Sequence, residues 1–301
     1  MASILITGGT GLIGKQLTSS LQNKGHKVSI LSRNTSKKPN VYQWSINDSY
    51  IENEAILNAD YIIHLAGAGI ADKRWTKTRK KELIDSRVDS TNLLFNKIQE
   101  LNHNLKGFIA ASGIGYYGAT TSSTIYSEKD APGNDFISKI CKLWEKASLK
   151  FSTIDVRTVI LRTGIVLSNK GGALPKIVKP IKLGFGAALG KGNQYMPWIH
   201  IDDLCNMYVE AIENNKIEGI YNAVSPSHVN NIELTNIIAT YLKKKILLPN
   251  VPSFVFKILY GEMSKILLEG SRVSSKKVEK TGFKFKHSST QDTIKNILTN
   301  Y

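Results

Sequence analysis

Apolar and polar positions fall into alternating blocks along the first half of the chain. The short apolar runs SILIT (3–7), KVSILS (27–32), ADYIIHLA (59–66) and KGFIAAS (106–112) have the length and composition of buried strands. Between them, LIGKQLTSSLQNKG carries helical spacing up to a glycine stop at Gly25, and KTRKKELIDSRVDSTNLLFNKIQEL (77–101) carries it for some six turns. Strands alternating with helices in this order predict an α/β fold, a doubly wound parallel sheet with helices on both faces. The second half is less regular. Gly171, Gly172, Gly184, Gly186, Gly190 and Gly192 crowd into one short span and mark loops. No internal repeat and no low-complexity segment interrupts the pattern.

Composition adds little to this picture until charge is considered. The 301 residues, 42% hydrophobic and 21% charged, are those of an ordinary globular protein. The chain runs from Met1 straight into a strand-like stretch without a leader pattern, and no apolar run reaches membrane-spanning length, so a cytoplasmic protein with no membrane partner is expected. The two cysteines, Cys141 and Cys205, fit neither a disulfide framework nor a zinc pattern, which agrees with a reducing compartment. The formal charge is +16, and residues 243–301 carry half of it, twelve Lys/Arg against four Asp/Glu. Those lysines are mostly scattered; the single run, Lys243 to Lys245, closes a helix-like stretch where cations suit the helix dipole. No nucleic-acid signature accompanies the charge, which reads as a solvated basic surface that also favours anionic ligands, with polyanion binding as the alternative.

Candidate chemistry begins at ILITGGTGLIG (4–14). Its glycines fit both GxGxxG (Gly9, Gly11, Gly14) and GxxGxxG (Gly8, Gly11, Gly14), directly after an expected strand and at the start of an expected helix. In that context glycines provide a tight turn, close approach to a pyrophosphate and close packing of helix on strand, while the helix N-terminus faces the phosphates. Gly8, Thr10, Gly11 and Gly14 are therefore candidate dinucleotide ligands. The second strand ends in Ser32 and Arg33, where an NAD site usually places an acid. A hydroxyl and a guanidinium suit a 2′-phosphate instead, so the expected cofactor is NADP.

These residues, with HLAGAGIADKRWT (64–76), SGIGYYG (112–118), LRTGIVLS (161–168), PWIHIDDL (197–204) and a tail reading LLEGSRV then TGFKF, resemble the extended and atypical short-chain dehydrogenase/reductases, and among them the YfcH-like epimerase family. The resemblance spans essentially the whole chain. It implies a Rossmann domain binding NADP(H), here 1–167 and 196–224, and a smaller substrate-side domain, here 168–195 and 225–301. It further implies that Gly11, Leu12 and Ile13 cradle the pyrophosphate by their backbone, and that Leu65 and Ala66 lie against the adenine and its ribose with Gly67 giving clearance. Glu82 and Arg87 would reach the cofactor from the long helix, and Val166 would lie near the nicotinamide.

The chain departs from that superfamily at the catalytic pair. Tyr-x-x-x-Lys is the usual apparatus, the lysine lowering the tyrosine pKa. Aligning the WE of DFISKICKLWEKA (135–147) with the hydrophobic-Glu pair that follows the lysine puts Ile137 and Cys141 in those positions. The remaining hydroxyls at the strand end are Ser112, Tyr116 and Tyr117, with Gly113 at the usual serine position; these three are the catalytic candidates. Arg74, Trp75, Gln194, Trp198 and His200 are candidates for the substrate side. Asp202 and Asp203 are expected to cap the helix that follows, and no metal-ligand spacing is visible. The reading is an NADP(H)-dependent oxidoreductase acting on a small-molecule substrate, with a nucleotide-sugar epimerase or dehydratase and a non-catalytic NADP-binding regulator as alternatives.

Overall fold

The structure, a computed structural model, describes residues 1–34 and 38–299. Its strands in chain order are β1 (Ser3–Thr7), β2 (Lys27–Ser32), β3 (Val41–Ser45), β4 (Tyr50–Ile51), β5 (Tyr61–His64), β6 (Gly107–Gly113), β7 (Ile125–Tyr126), β8 (Arg157–Thr163), β9 (Ile165–Leu167), β10 (Trp198–His200), β11 (Gly219–Ala223) and β12 (Arg272–Val273). The main sheet has the order β11-β8-β6-β5-β1-β2-β3-β4, parallel throughout except for β4 on β3. Two small parallel pairs, β10 with β9 and β12 with β7, lie outside it. The order reverses between β1, β2 and β5, β6, so the crevice at the strand C-termini opens beside β1.

The helices are α1 (Leu12–Asn23), α2 (Asn53–Leu57), α3 (Lys77–Glu100), α4 (Phe136–Ser148), α5 (Leu174–Lys182), α6 (Ile201–Glu213), α7 (Asn231–Tyr241), α8 (Ser253–Tyr260), α9 (Lys265–Leu268), α10 (Lys276–Glu279) and α11 (Thr290–Thr299). Alternation along the strands sends Ile4, Ile6, Ile63, Ile109, Val159 and Leu161 to one face, where Leu17 and Leu21 of α1 and Leu204 and Tyr208 of α6 cover them. Leu5, Ile62, Phe108 and Ile160 point to the other face, against Leu94 and Ile98 of α3. Strands buried on both sides read as continuous apolar runs, which is why they stand out in the sequence. A third core joins Leu174, Val178 and Ile181 of α5 to Leu234 and Ile238 of α7 and Ile294 and Ile297 of α11, with Trp198 among them. Among the described residues no helix is long and apolar enough to cross a membrane.

Candidate functional site at the crest of the sheet

The loop between β1 and α1 is built by its glycines. Gly8 adopts φ +71°, a conformation L side chains rarely enter, and a Cβ on Gly14 would fall on the Gly8 carbonyl and within 2.6 Å of the Gly9 Cα. Helix α1 therefore starts pressed against its own loop. Gly11 stands at its N-cap with no side-chain cap and no acid in the first turn, so the N–H groups of Leu12, Ile13 and Gly14 are left for an anion. Leu12, Ile13, Leu65 and Val166 meet as partly buried neighbours of the adjoining core, and Thr10 and Gly11 are exposed above them.

Beside this loop the end of β5 is held by a relay centred on His64. The Leu65 and Ala66 amides donate to Thr7 Oγ1 (3.2 and 3.1 Å), Thr7 Oγ1 pairs with His64 Nδ1 (2.7 Å), and His64 Nε2 with Ser90 Oγ of α3 (3.2 Å). Since Thr7 Oγ1 accepts from two amides and Ser90 Oγ donates to the carbonyls of Ser86 and Arg87, Thr7 donates to Nδ1 and His64 carries its proton on Nε2. Burial holds the imidazole neutral, its pKa lowered to about 3. Arg87 lies under the next loop. Its guanidinium donates to the carbonyls of Ala68 and Leu83 (2.9 Å each), it fills the space a Cβ on Gly67 would need, and burial lowers its pKa to about 10.

At the end of β2, Ser32 Oγ accepts the Asn34 amide (3.1 Å) and Arg33 is exposed. Glu82, also exposed, accepts from Arg79 at 2.7 Å; that bond first, then the charges of Lys73 and Arg33, hold its carboxyl below the usual range. The structure thus brings Arg33 and Glu82 into electrostatic reach, 49 positions apart in the chain.

At the end of β6, Ser112 Oγ donates to Glu145 Oε1 (2.7 Å), and the same carboxylate takes two bonds from Arg162 (2.9 and 2.8 Å), all three side chains being buried. Arg162 also donates to the Tyr117 hydroxyl (3.0 Å), which in turn donates to Asn222 Oδ1 (2.7 Å). Burial pushes the Tyr117 phenol up to about 12 against the opposing pull of Arg162. The Arg162 guanidinium lies 3.3 Å from the centre of the Tyr116 ring. Among the described residues the Tyr116 hydroxyl has no hydrogen-bond partner, and the residue is half-buried. Neither Glu145 nor Arg162 was singled out from the sequence, although Glu145 is the acid of the WE pair quoted for alignment.

A family model described as the NAD dependent epimerase/dehydratase family matches residues 4–223. The chain belongs to that family. A domain of unknown function, DUF1731, matches residues 251–297. The mouse epimerase family protein SDR39U1 is 34% identical over 300 residues, 98% of this chain and 99% of its own length. The epimerase family protein YfhF of Bacillus subtilis is 33% identical over 299 residues, 98% of each chain. The crystal structure of human SDR39U1 (isoform 2) with NADPH is similar over 99% of this chain and 100% of that one, with a TM-score of 0.88 and 31% identity.

Gly113, Ile137 and Cys141, the positions aligned from the sequence with the usual catalytic groups, lie in one neighbourhood. A Cβ on Gly113 would lie 3.7 Å from Cys141 Sγ, and Ile137 fills the space beside Gly115. Burial first, then the Glu145 carboxylate, pushes the Cys141 thiol up to about 12, so it stays protonated.

The substrate-side candidates have different surroundings. Arg74 reaches the Ile258 carbonyl (3.4 Å) next to Gly261; Trp75 is buried against Phe136 and donates to Ile70 O (2.9 Å). Gln194 is buried and donates to the carbonyls of Leu189 and Leu267, and Trp198 is fully buried with its indole on Thr290 Oγ1 (3.0 Å). His200 corrects one expectation: its Nδ1, not Asp202 or Asp203, caps α6, accepting the Asp202 amide of the first turn at 3.2 Å. Asp203 instead accepts the amides of Lys286 and His287 (2.9 Å each), which brings the His287 ring to 3.7 Å from that of His200. His200, Asp202 and His287 form a cluster with metal-ligand potential that linear spacing could not reveal. In it, His200 Nδ1 accepts the Asp202 amide and the Asp202 carboxylate accepts from Gln16 (3.2 Å).

Proposed function

We propose that the chain binds NADP(H) across the crest and reduces a small substrate with it. The uncapped start of α1, flanked by Leu65 and Val166, carries this reading, supported by Ser32 and Arg33 at the end of β2 and by the human relative solved with NADPH. In this arrangement Gly11, Leu12 and Ile13 hold the pyrophosphate, Leu65, Ala66 and Gly67 border the adenosine, Arg33 with Ser32 takes the 2′-phosphate, and Glu82, Arg87 and Val166 complete the wall. The substrate lies between the crest and the layer formed by residues 168–195 and 225–301. Two buried free thiols suit a reducing, cytoplasmic setting.

Bound NADPH supplies hydride; the chain must supply the proton. Tyr117 keeps its proton on Asn222 and, at a pKa near 12, can only act as an acid. Tyr116 has the unengaged hydroxyl, and we assign it the donor role, with Ser112, Glu145, Arg162 and Tyr117 positioning it. A donor hydroxyl with no general base beside it suits reduction rather than oxidation. NADPH should bind more tightly than NADH in a titration, and Arg33→Asp should reverse that order; equal affinities in the wild type would overturn the cofactor assignment. With a panel of carbonyl compounds, Tyr116→Phe should lose about 100-fold or more in turnover at unchanged NADPH affinity.

One observation favours a second reading. Gly113, Ile137 and Cys141, aligned from the sequence with the usual catalytic groups, offer no hydroxyl and no cation, which fits an NADP(H)-binding protein without turnover. Inertness across the panel with NADPH affinity retained would establish it.

A further inference from the structure

Two stretches of the chain contain no carboxylate at all. Residues 156–201 hold seven Lys/Arg and no Asp or Glu, and residues 234–261 hold four Lys and no Asp or Glu. The fold brings them together. Ile246 Cδ1 lies 2.7 Å from where a Cβ of Gly186 would stand, Leu189 bridges to Val251, and the Gly190 amide donates to Val251 O (2.8 Å). Helices α5 and α7 share the third core beneath.

The same region gathers exposed apolar side chains. Of the fifteen large hydrophobic residues exposed among the described residues, ten fall between 183 and 260: Leu183, Phe185, Ile232, Tyr241, Leu247, Leu248 and four on α8, namely Phe254, Ile258, Leu259 and Tyr260. Leu247 is 80% and Phe185 68% exposed, and α8 buries none of its side chains. A cluster of this kind marks an interaction surface rather than the scattered apolar residues every protein exposes.

We propose that this face binds an anionic lipid surface. Four of the exposed apolar residues stand at exposed turns, Leu183 and Phe185 around Gly184 (φ +86°) and Leu247 and Leu248 just before Pro249. Apolar turns of this kind enter the boundary between headgroups and acyl chains, where no rigid complementary surface is required. Exposed Lys179, Lys243, Lys244, Lys245 and Lys257 accompany them, and with no carboxylate in either stretch nothing there repels lipid phosphates. The length of apolar runs bears only on spanning a bilayer, and this mode of attachment does not span it.

The test is vesicle flotation of the full-length chain, with mixed phosphatidylcholine/phosphatidylglycerol vesicles against pure phosphatidylcholine. Partitioning to the anionic vesicles should be about tenfold or more tighter and should weaken as salt rises. Phe185→Glu with Leu247→Glu should abolish it, and Lys243→Gln with Lys244→Gln and Lys245→Gln should cut it about tenfold or more, with the thermal midpoint and NADPH affinity unchanged in both variants. Equal partitioning to both vesicles would overturn the proposal. So would binding that the lysine substitutions remove and the Glu substitutions leave intact, which is adhesion to any polyanion. Self-association in solution that Leu247→Glu abolishes, without vesicle binding, would assign the face to a second copy of the chain and overturn it as well.

Discussion

His64 shows how one buried side chain fixes the crest. Its two nitrogens tie Thr7 of β1 to Ser90 of α3, and Thr7 carries the amides of Leu65 and Ala66, so the strand ends that flank the dinucleotide loop are held through one imidazole. The sign of its pH dependence follows from burial. The folded pKa, about 3, is below the unfolded value of about 6.5, so the unfolded chain binds the proton first and stability is lost as pH falls from about 6.5 toward 3. The loss approaches ~1.4 kcal/mol per pH unit, or ~2 kcal/mol at about pH 5. His200 and His228, also lowered by burial, add to the slope, while paired carboxylates such as Asp60 enter only at more acidic pH. His64→Asn should be less stable at neutral pH yet show a flatter decline in denaturant midpoint between about pH 7 and 5. Parallel declines for mutant and wild type would remove His64 from this role. The residue sits inside a motif quoted from the sequence, but its role was illegible there because its partners are 57 and 26 positions away.

Between elements, the strongest polar connection is the Glu145–Arg162 pair, which joins α4 to β8 and, through Ser112 and Tyr117, to the end of β6 and the turn that follows it. Both charges are out of water, so the pair is costly to form and more costly to break. Glu145→Leu alone leaves a buried guanidinium and should cost about 3–5 kcal/mol in denaturant unfolding, whereas adding Arg162→Met should recover most of that loss. A double mutant no more stable than the single one would show that Arg162 is held by Tyr117 and the Tyr116 ring rather than by the carboxylate. Elements of this region were legible in outline. The stretch 135–147 that carries the WE pair forms the helix Phe136–Ser148 behind an Asp135 cap, and the strand expected over 106–112 forms as Gly107–Gly113. What the pattern did not show were elements too short to carry a period: β4, two residues long, and α9 and α10 of four residues each. The start of α6 was misjudged for another reason. An Asp-Asp pair ahead of a helix invites a capping role, but the backbone turns at His200, so the imidazole takes the cap and Asp203 is freed to hold the chain at 286–287.

At the scale of the whole molecule, the segment after α7 returns to the core on the α1 and α6 face of the sheet and to the core of α5 and α7 rather than standing beside the sheet. Val278, Phe283 and Phe285 cover the face of the sheet that carries α1 and α6, β12 pairs with β7, the Ser274 carbonyl accepts from Asn222 next to Tyr117, and Ile294 and Ile297 close the core of α5 and α7 over Trp198. A chain ended at Lys243 keeps every residue of the dinucleotide loop and loses these covers. Fully burying a side chain the size of Ile, Val or Phe is worth about 1.5–3 kcal/mol, so losing three buried side chains and two partly buried ones is comparable to the net stability of a typical domain. The truncated chain should therefore aggregate, bind hydrophobic dyes and fail to hold NADPH even though the loop that contacts it is intact. The reading that residues 225–301 merely append a substrate-side layer gives the opposite result, a monodisperse protein with unchanged NADPH affinity. Size-exclusion chromatography followed by cofactor titration on the truncated chain separates the two, and a soluble monomer that still prefers NADPH would show that the Rossmann sheet is complete without its C-terminal cover.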